Sequence, residues 1–293
     1  MRAPLRPFGR FDAALLALLV LAAGYAGYRI TVHLDYAWDW PAIPQFLFRY
    51  DVDQERWVAN YLVQGLLTTL RLSLWSGLLA LILGLFMALA RTSRSLYWRL
   101  VARSYVELMR NLPPLVVIFL FYFFLAGQLI PLLAPGDRLA AAGPFWQSLG
   151  ATLFAPPGQL ASFLSAVVTL AVFESAYVAE ILRSGIESIH RSQWDAAQAL
   201  GLTRGQCLRY VVLPQAVRRV LPPLASQMIS LVKDSAIVSV ISVQELTYQG
   251  TQLMASTYLT IEVWITVALM YFLLTWPCSL LVGRLEHRLR RDR

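Results

Sequence analysis

The sequence predicts an all-α, polytopic membrane protein with six transmembrane helices. Three observations carry this. Of 293 residues, 58% are hydrophobic and only 14% are charged, which is too apolar for a soluble domain. Six apolar stretches each approach the roughly 20 residues a helix needs to cross a hydrocarbon core. The basic residues collect between alternate stretches, as they do on the cytoplasmic side of a membrane.

The six stretches are, in order, Phe11–Ile30, Leu62–Ala90, Pro113–Leu133, Leu160–Leu182, Pro222–Ile241 and Leu259–Val282. The first has a longer apolar run than the core of a secretory signal, and no compelling cleavage site follows it. It reads as a retained helix. With the N-terminus inside, segments 1–11, 91–110, 183–219 and 284–293 hold 3, 5, 6 and 5 of the 25 basic residues. Loop 33–60 carries Asp35, Asp39, Asp51, Asp53 and Glu55 instead. Both termini are therefore expected in the cytoplasm. The basic tail, 285–293, suits a topology anchor near anionic lipid.

A net charge of +8 alone would be compatible with nucleic acid, but the placement of the charges between apolar stretches argues against it. Cys207 and Cys278 have no metal-ligand spacing, and the three histidines are scattered. No glycine-rich phosphate loop is present, so the chain is expected to bind no cofactor and hydrolyse no ATP itself.

One polar stretch stands out between the fourth and fifth spans. Ser192 and Asp195 have capping-box spacing, so a short helix is expected to begin there. Gly201 suits the left-handed turn that ends it. Thr203 and Gln206 repeat the capping pattern, which predicts a second short helix to Val212. Leu213-Pro214 then closes the unit, and a following helix would carry proline in its first turn. Trp194 and the small Ala196-Ala197-Ala199 surface would let another protein pack closely.

The spacing Asp195-Ala196-Ala197, three residues, Gly201, nine residues, Val211, one residue, Leu213-Pro214 resembles the EAA loop of ABC importer permeases. Asp195 stands where that family has Glu, and Val211 where it has Ile. The likeness extends over about 62–284. Gly65-x2-Thr68-Thr69-Leu70, Arg110-Asn111-Leu112-Pro113-Pro114, the run Glu174–Ile186 and Lys233-Asp234-Ser235-Ala236 resemble segments of the family's polar amino acid branch. The resemblance implies a type I permease fold over 62–284 with a coupling loop at 192–214. Residues 1–61 form an extra helix and outer loop outside it.

It also implies a role. The chain would be the permease subunit of an ATP-driven, binding-protein-dependent importer of polar amino acids in a bacterial cytoplasmic membrane. Trp194, Asp195, Ala196, Ala197, Gly201, Leu213 and Pro214 would dock on a cytoplasmic ATP-binding subunit dimer, which holds the MgATP. A second permease copy or a homologous permease would complete the pore, and an extracytoplasmic amino-acid-binding protein would deliver the ligand.

Glu174, Lys233 and Asp234 are charges at membrane depth, roughly 12–16 Å in by helix rise. Such charges must face the bundle or water. Two readings stand. In one they form, with Tyr177, a site for a zwitterion: Lys233 near a carboxylate and Glu174 or Asp234 near an amine. In the other they form a structural network, for instance Glu174 with Lys233. Glu180 and Arg183 suit a local pair, Arg71 a snorkelling rim residue, and the aromatic run 119–124 packing or lipid contact. An ion-gradient-driven secondary transporter of a small polar solute is the competing function. It fits midplane charges but does not account for 192–214, and no matching pair of broken helices is evident.

Overall fold

The computed structural model describes residues 9–33, 36–53 and 55–291. Arg2, Arg6, Asp35 and Arg293 of the charge pattern lie outside the described residues. The chain divides into two compact units, 1–40 and 41–293. The first unit is helix α1, Arg10–His33, followed by the ring contacts Tyr36–Trp38 at 5.0 Å and Trp38–Trp40 at 6.0 Å. The run Phe11–Arg29 in α1 is long and apolar enough to cross a membrane.

The second unit opens with α2, Ile43–Leu47, and a hairpin of β1, Phe48–Asp51, and β2, Arg56–Ala59. Register Phe48↔Ala59 and Tyr50↔Trp57 puts these four residues on one face. Asn60 Nδ2 donates to the Gln45 carbonyl at 2.6 Å, and Asn60 N to the Leu47 carbonyl at 2.9 Å. These bonds close the hairpin onto the start of α3, Tyr61–Arg91. Ile43 is buried with Leu62, Leu246 and Val263. Residues 41–61 thus pack with the bundle, and the compact unit begins about twenty residues before the expected boundary at 62. The loop holds two anchors, Ile43 and Asn60, that its acidic composition masks.

Helix α4, Leu96–Asn111, lies between the second and third spans. Its Ala102, Val106 and Met109 recur at helical spacing and are buried, while Arg99, Arg103 and Glu107 face out. The third apolar segment is α5, Pro114–Phe121, a π-helical turn at Tyr122–Ala126, and α6, Gly127–Leu132. Short helices α7, Pro135–Ala141, and α8, Pro144–Leu153, lead to the long α9, Pro157–Glu187. After α9 come α10, Arg191–Ala199, and α11, Arg204–Gln206. A π-helical stretch, Cys207–Val212, runs into α12, Leu213–Asp234. A 3-10 turn, Ser235–Ile241, then precedes α13, Leu246–Thr257, and α14, Thr260–Arg291. Among the described residues six segments are long and apolar enough to cross a membrane; they match the six expected stretches, except that Pro114–Ala141 runs past Leu133 and that Pro144–Glu187 and Cys207–Ile241 start well before Leu160 and Pro222.

The centre of the bundle is the α3–α9 pair. Apart from Leu62 and Leu72, the buried residues of α3 are small, among them Gly65, Thr69, Ser73, Ser76, Gly77, Ala80, Gly84 and Ala88. Small residues let two backbones approach where lipid supplies no hydrophobic drive. A Cβ on Gly84 would meet Val178 Cγ1 at 2.5 Å and the Ser175 carbonyl oxygen at 3.0 Å. At the far end of α13 the seal is polar. Glu245 is fully buried and accepts from Tyr248 N at 2.7 Å, Tyr271 Oη at 2.8 Å and Thr69 Oγ1 at 3.3 Å. Burial pushes its carboxyl above the usual range, against the pull of these donors. One side chain thereby caps α13 and ties it to α3 and α14.

Candidate functional site

The 192–214 unit begins one residue earlier than expected. Its first helix, α10, starts at Arg191, and its N-cap is His190, which makes no side-chain cap bond. Ser192 is therefore already helical. Its hydroxyl lies 3.2 Å from His190 Nδ1, so the expected Ser192–Asp195 capping box does not form. The other end forms as expected. Gly201 has φ of +80°, its N–H donates to Gln198 O at 2.9 Å, and Leu202 N–H donates to Ala197 O at 3.2 Å. That is a Schellman stop with glycine in the left-handed position. The second box is reciprocal: Thr203 N donates to Gln206 Oε1 at 2.8 Å, and Gln206 N to Thr203 Oγ1 at 3.4 Å.

Leu213-Pro214 does not end a helix. The chain passes continuously from α11 through the π-helical stretch into α12, with Pro214 in the first turn of α12. The widened turn accommodates a proline that lacks an N–H and would crowd the preceding carbonyls. The second half of the 192–214 unit is thus the direct extension of α12.

Its inner face is anchored. Ala197 is 3% exposed, and Trp194 and Leu208 pack on a buried cluster of Ile189, Val212 and Ala216. Arg219 reaches back to the Ser188 carbonyl and lies 3.0 Å from Ser188 Oγ. Gln215 Nε2 donates to Gln193 Oε1 at 3.3 Å. Gly185 lets α9 and α12 touch, since a Cβ there would collide with Val220 Cγ1. Asp195, Ala196 and Ala199 face outward, and Leu200 is 82% exposed. A short helix with a fixed inner face and an open, small-residue outer face is what a docking element requires.

Next to this unit the ends of the helices are tied by charge. Glu180 pairs with Arg91 of α3 and Arg183 of α9, and Arg110 of α4 lies 3.7 Å away. Arg183 also pairs with Glu187. The expected Glu180–Arg183 pair is present, and Arg91 extends it between helices. Tyr105 of α4 bonds the Val172 carbonyl at 2.6 Å and Ser175 Oγ at 2.7 Å, and burial raises its phenol's pKa.

Deeper in the bundle Glu174 is completely buried. Its Oε2 accepts from Gln227 Nε2 at 2.9 Å, and Oε1 has no hydrogen-bond donor. Asp234 is half-buried and ends α12 seven residues after Gln227. Tyr177, one turn along α9, packs edge-on to Phe173 at 5.3 Å and lies under the Arg110 guanidinium at 5.9 Å. Lys233 is exposed and forms no ion pair among the described residues, so the Glu174–Lys233 pair is not formed. The helix explains this. Gln227 and Asp234 are seven apart and share a face of α12, whereas Lys233 is turned about 100° from Asp234. Gln227 was missed in the sequence, although its spacing to Asp234 was the available signal. Arg71 is half-buried, and its Nη1 donates to the Ala151 carbonyl at 3.2 Å.

The model of one family, "Binding-protein-dependent transport system inner membrane component", matches residues 80–291. The chain is 32% identical to the glutamine transport system permease protein GlnP of Escherichia coli (strain K12), over 88% of this chain and 99% of that relative. It is 34% identical to the probable glutamine ABC transporter permease protein GlnM of Bacillus subtilis (strain 168), over 72% of this chain and 85% of the relative. Among solved structures, a crystal structure of an amino acid ABC transporter with histidines superposes with a TM-score of 0.67 at 31% identity, covering 86% of this chain and all of that one. The MetNI methionine ABC transporter in an inward-facing conformation shares the fold, with a TM-score of 0.57 at 20% identity over 78% of this chain and 96% of that chain. Six apolar spans, the bundle and the capped, anchored α10 agree with these matches: the chain is a multi-pass ABC importer permease and belongs to the family of inner membrane components of binding-protein-dependent transport systems.

Proposed function

We propose that the chain is the membrane subunit of an importer for polar amino acids, with glutamine the first candidate ligand. Two ATP-binding subunits dock at α10 in the cytoplasm, hydrolyse the ATP and drive the stroke. A second permease, identical or homologous, completes the path, and an external binding protein delivers the ligand. Both termini lie in the cytoplasm. Asp195 and Ala196 present the docking face, Trp194 and Ala197 hold α10 from its inner side, Gly201 ends it, and Leu213-Pro214 joins that unit to α12. The observation that carries this reading is the continuity of α11, the π-helical stretch and α12, onto which Trp194 of α10 packs through the Ile189, Val212 and Ala216 cluster; it links the docking face to the helix bearing Gln227 and Asp234.

Glu174, Asp234 and the Gln227 amide form the ligand's ammonium site. An arriving ammonium offsets the carboxylates of both helices, which face it without a cation of their own. Tyr177 borders the site, and Lys233 lies outside it on the same helix. Purification of the chain with a cognate ATPase and binding protein, followed by uptake of labelled L-glutamine into proteoliposomes, tests the reading. ATP-dependent uptake is expected. Uptake driven by an ion gradient without ATP would overturn it.

A further inference from the structure

A second polar recess lies at the ends of α3 and α9 remote from α10. Two adjoining cavities of about 310 and 180 Å³ share Thr68, Arg71, Pro156, Gln159 and Gln244. Gln159 Nε2 donates to Gln244 Oε1 at 3.0 Å, which joins α9 to the segment before α13 across the recess. Arg71 uses one guanidinium nitrogen on the Ala151 carbonyl at 3.2 Å. None of the ion pairs among the described residues includes it. A guanidinium carries five donors in a planar fork, so most of its capacity is left for another partner. Arginine within a membrane-spanning helix is costly unless it faces water or an anion. Here it faces a recess lined by amides and hydroxyls, which donate and accept, and no described carboxylate neutralises it.

We propose that this recess is a reception site for the α-carboxylate of the amino acid ligand, with Arg71 as its bidentate partner and Gln159 and Gln244 as adaptable neighbours. It rests on the amino acid import reading and adds an earlier station to it. A fork meets a carboxylate through two parallel hydrogen bonds, a match that neutral amides lack. The recess and Glu174 are separate sites. Ser162 on the recess wall is twelve residues from Glu174 along α9, about 18 Å by helix rise. A single small amino acid cannot span that length, so the ligand is held first by its carboxylate and later by its ammonium group. Opposite ends of one zwitterion are read at successive depths, and neither site alone holds it tightly enough to stop transit.

A lipid phosphate carries a similar anionic fork partner, and the test separates the two. The full chain is purified into nanodiscs of phosphatidylcholine and examined by saturation-transfer NMR with L-glutamine or 4-aminobutanamide, the analogue lacking the carboxylate. Glu174→Gln is the background, so that the deeper site does not contribute. L-glutamine is expected to receive saturation there, and the analogue is not. Adding Arg71→Gln is expected to weaken binding roughly tenfold or more, the scale of a lost charged hydrogen bond, while Arg71→Lys restores part of it. Because Arg71 also holds Ala151, Gln244→Ala is measured alongside and is expected to weaken binding with Arg71 intact. Unchanged glutamine saturation on adding Arg71→Gln, or none at all in the Glu174→Gln background, overturns the proposal. So does loss of the signal when phosphatidylglycerol replaces part of the lipid, which would assign the recess to lipid phosphate. Failure of the import reading looks different: the wild-type complex would take up no amino acid, whatever the recess binds.

Discussion

Glu174 has a buried oxygen with a partner and another without one, and that asymmetry separates a structural carboxylate from a receptive one. A carboxylate that only balanced Lys233 would be paired with it, and Lys233 points elsewhere. Glu174→Gln is therefore expected to insert at normal levels and lose uptake. The loss of a charged hydrogen bond of about 1.5–3 kcal/mol corresponds to roughly ten- to hundredfold weaker ligand capture. Adding Lys233→Met is expected to restore nothing, and uptake at matched membrane protein levels checks both variants. Full recovery in the double variant would reduce Glu174 to a structural role. Glu245 is the contrasting case, because every contact it makes is internal. Glu245→Ala leaves Tyr271 and the α13 N-terminus short of an acceptor, which costs about 1–3 kcal/mol. A lowered melting temperature of the purified chain is the expected readout. In sequence, Glu245 gave no sign of this, since its partners Thr69 and Tyr271 are brought to it only by tertiary packing.

At the level of elements, the docking unit was legible where local rules govern and illegible where tertiary contacts do. Gly201 and the Thr203–Gln206 box depend on a few neighbouring residues, and both formed. At the start of α10, Trp194 packs on the Ile189–Val212–Ala216 cluster, the N-cap is His190 rather than Ser192, and Asp195 is left free of any capping duty. Two predictions follow that shape. Gly201→Val forces a β-branched side chain to positive φ, which the backbone tolerates poorly. It is expected to abolish transport and ATPase association while the chain stays in the membrane, as read by co-purification and uptake. Asp195→Ala removes no cap, so melting temperature is expected to be unchanged. Its effect is confined to ATPase affinity, measured by titrating the ATPase onto the permease in nanodiscs.

Across the whole molecule, the six spans could be read from length and apolarity because a bilayer imposes both on any crossing helix. The packing order could not, since all six stretches are similarly apolar. What distinguishes α3 and α9 is the small-residue stripe from Gly65 to Ala88 and its close approach at Gly84. The boundary before α3 escaped notice for the opposite reason: two residues, Ile43 and Asn60, dock an otherwise acidic loop. Orientation rests on charge. Arg91, Arg110, Arg183 and Arg219 gather where α3, α4, α9 and α12 meet beside α10. Gly250, in α13, sits at the other ends of these helices, packed against Val267 of α14. Positive charge is retained on the cytoplasmic side, so reporter fusions at Ser95, Arg204 and Arg293 are expected to read inside. Fusions at Asp51, Pro135 and Gly250 are expected to read outside. Gly250 is the decisive position. The segment Cys207–Ile241 includes three prolines, Pro214, Pro222 and Pro223, begins π-helical and ends in a 3-10 turn, so its crossing is irregular. An inside signal at Gly250 would mean that it turns back without crossing, which would put α13 beside the docking unit and leave Glu174 without the helix that carries Gln227.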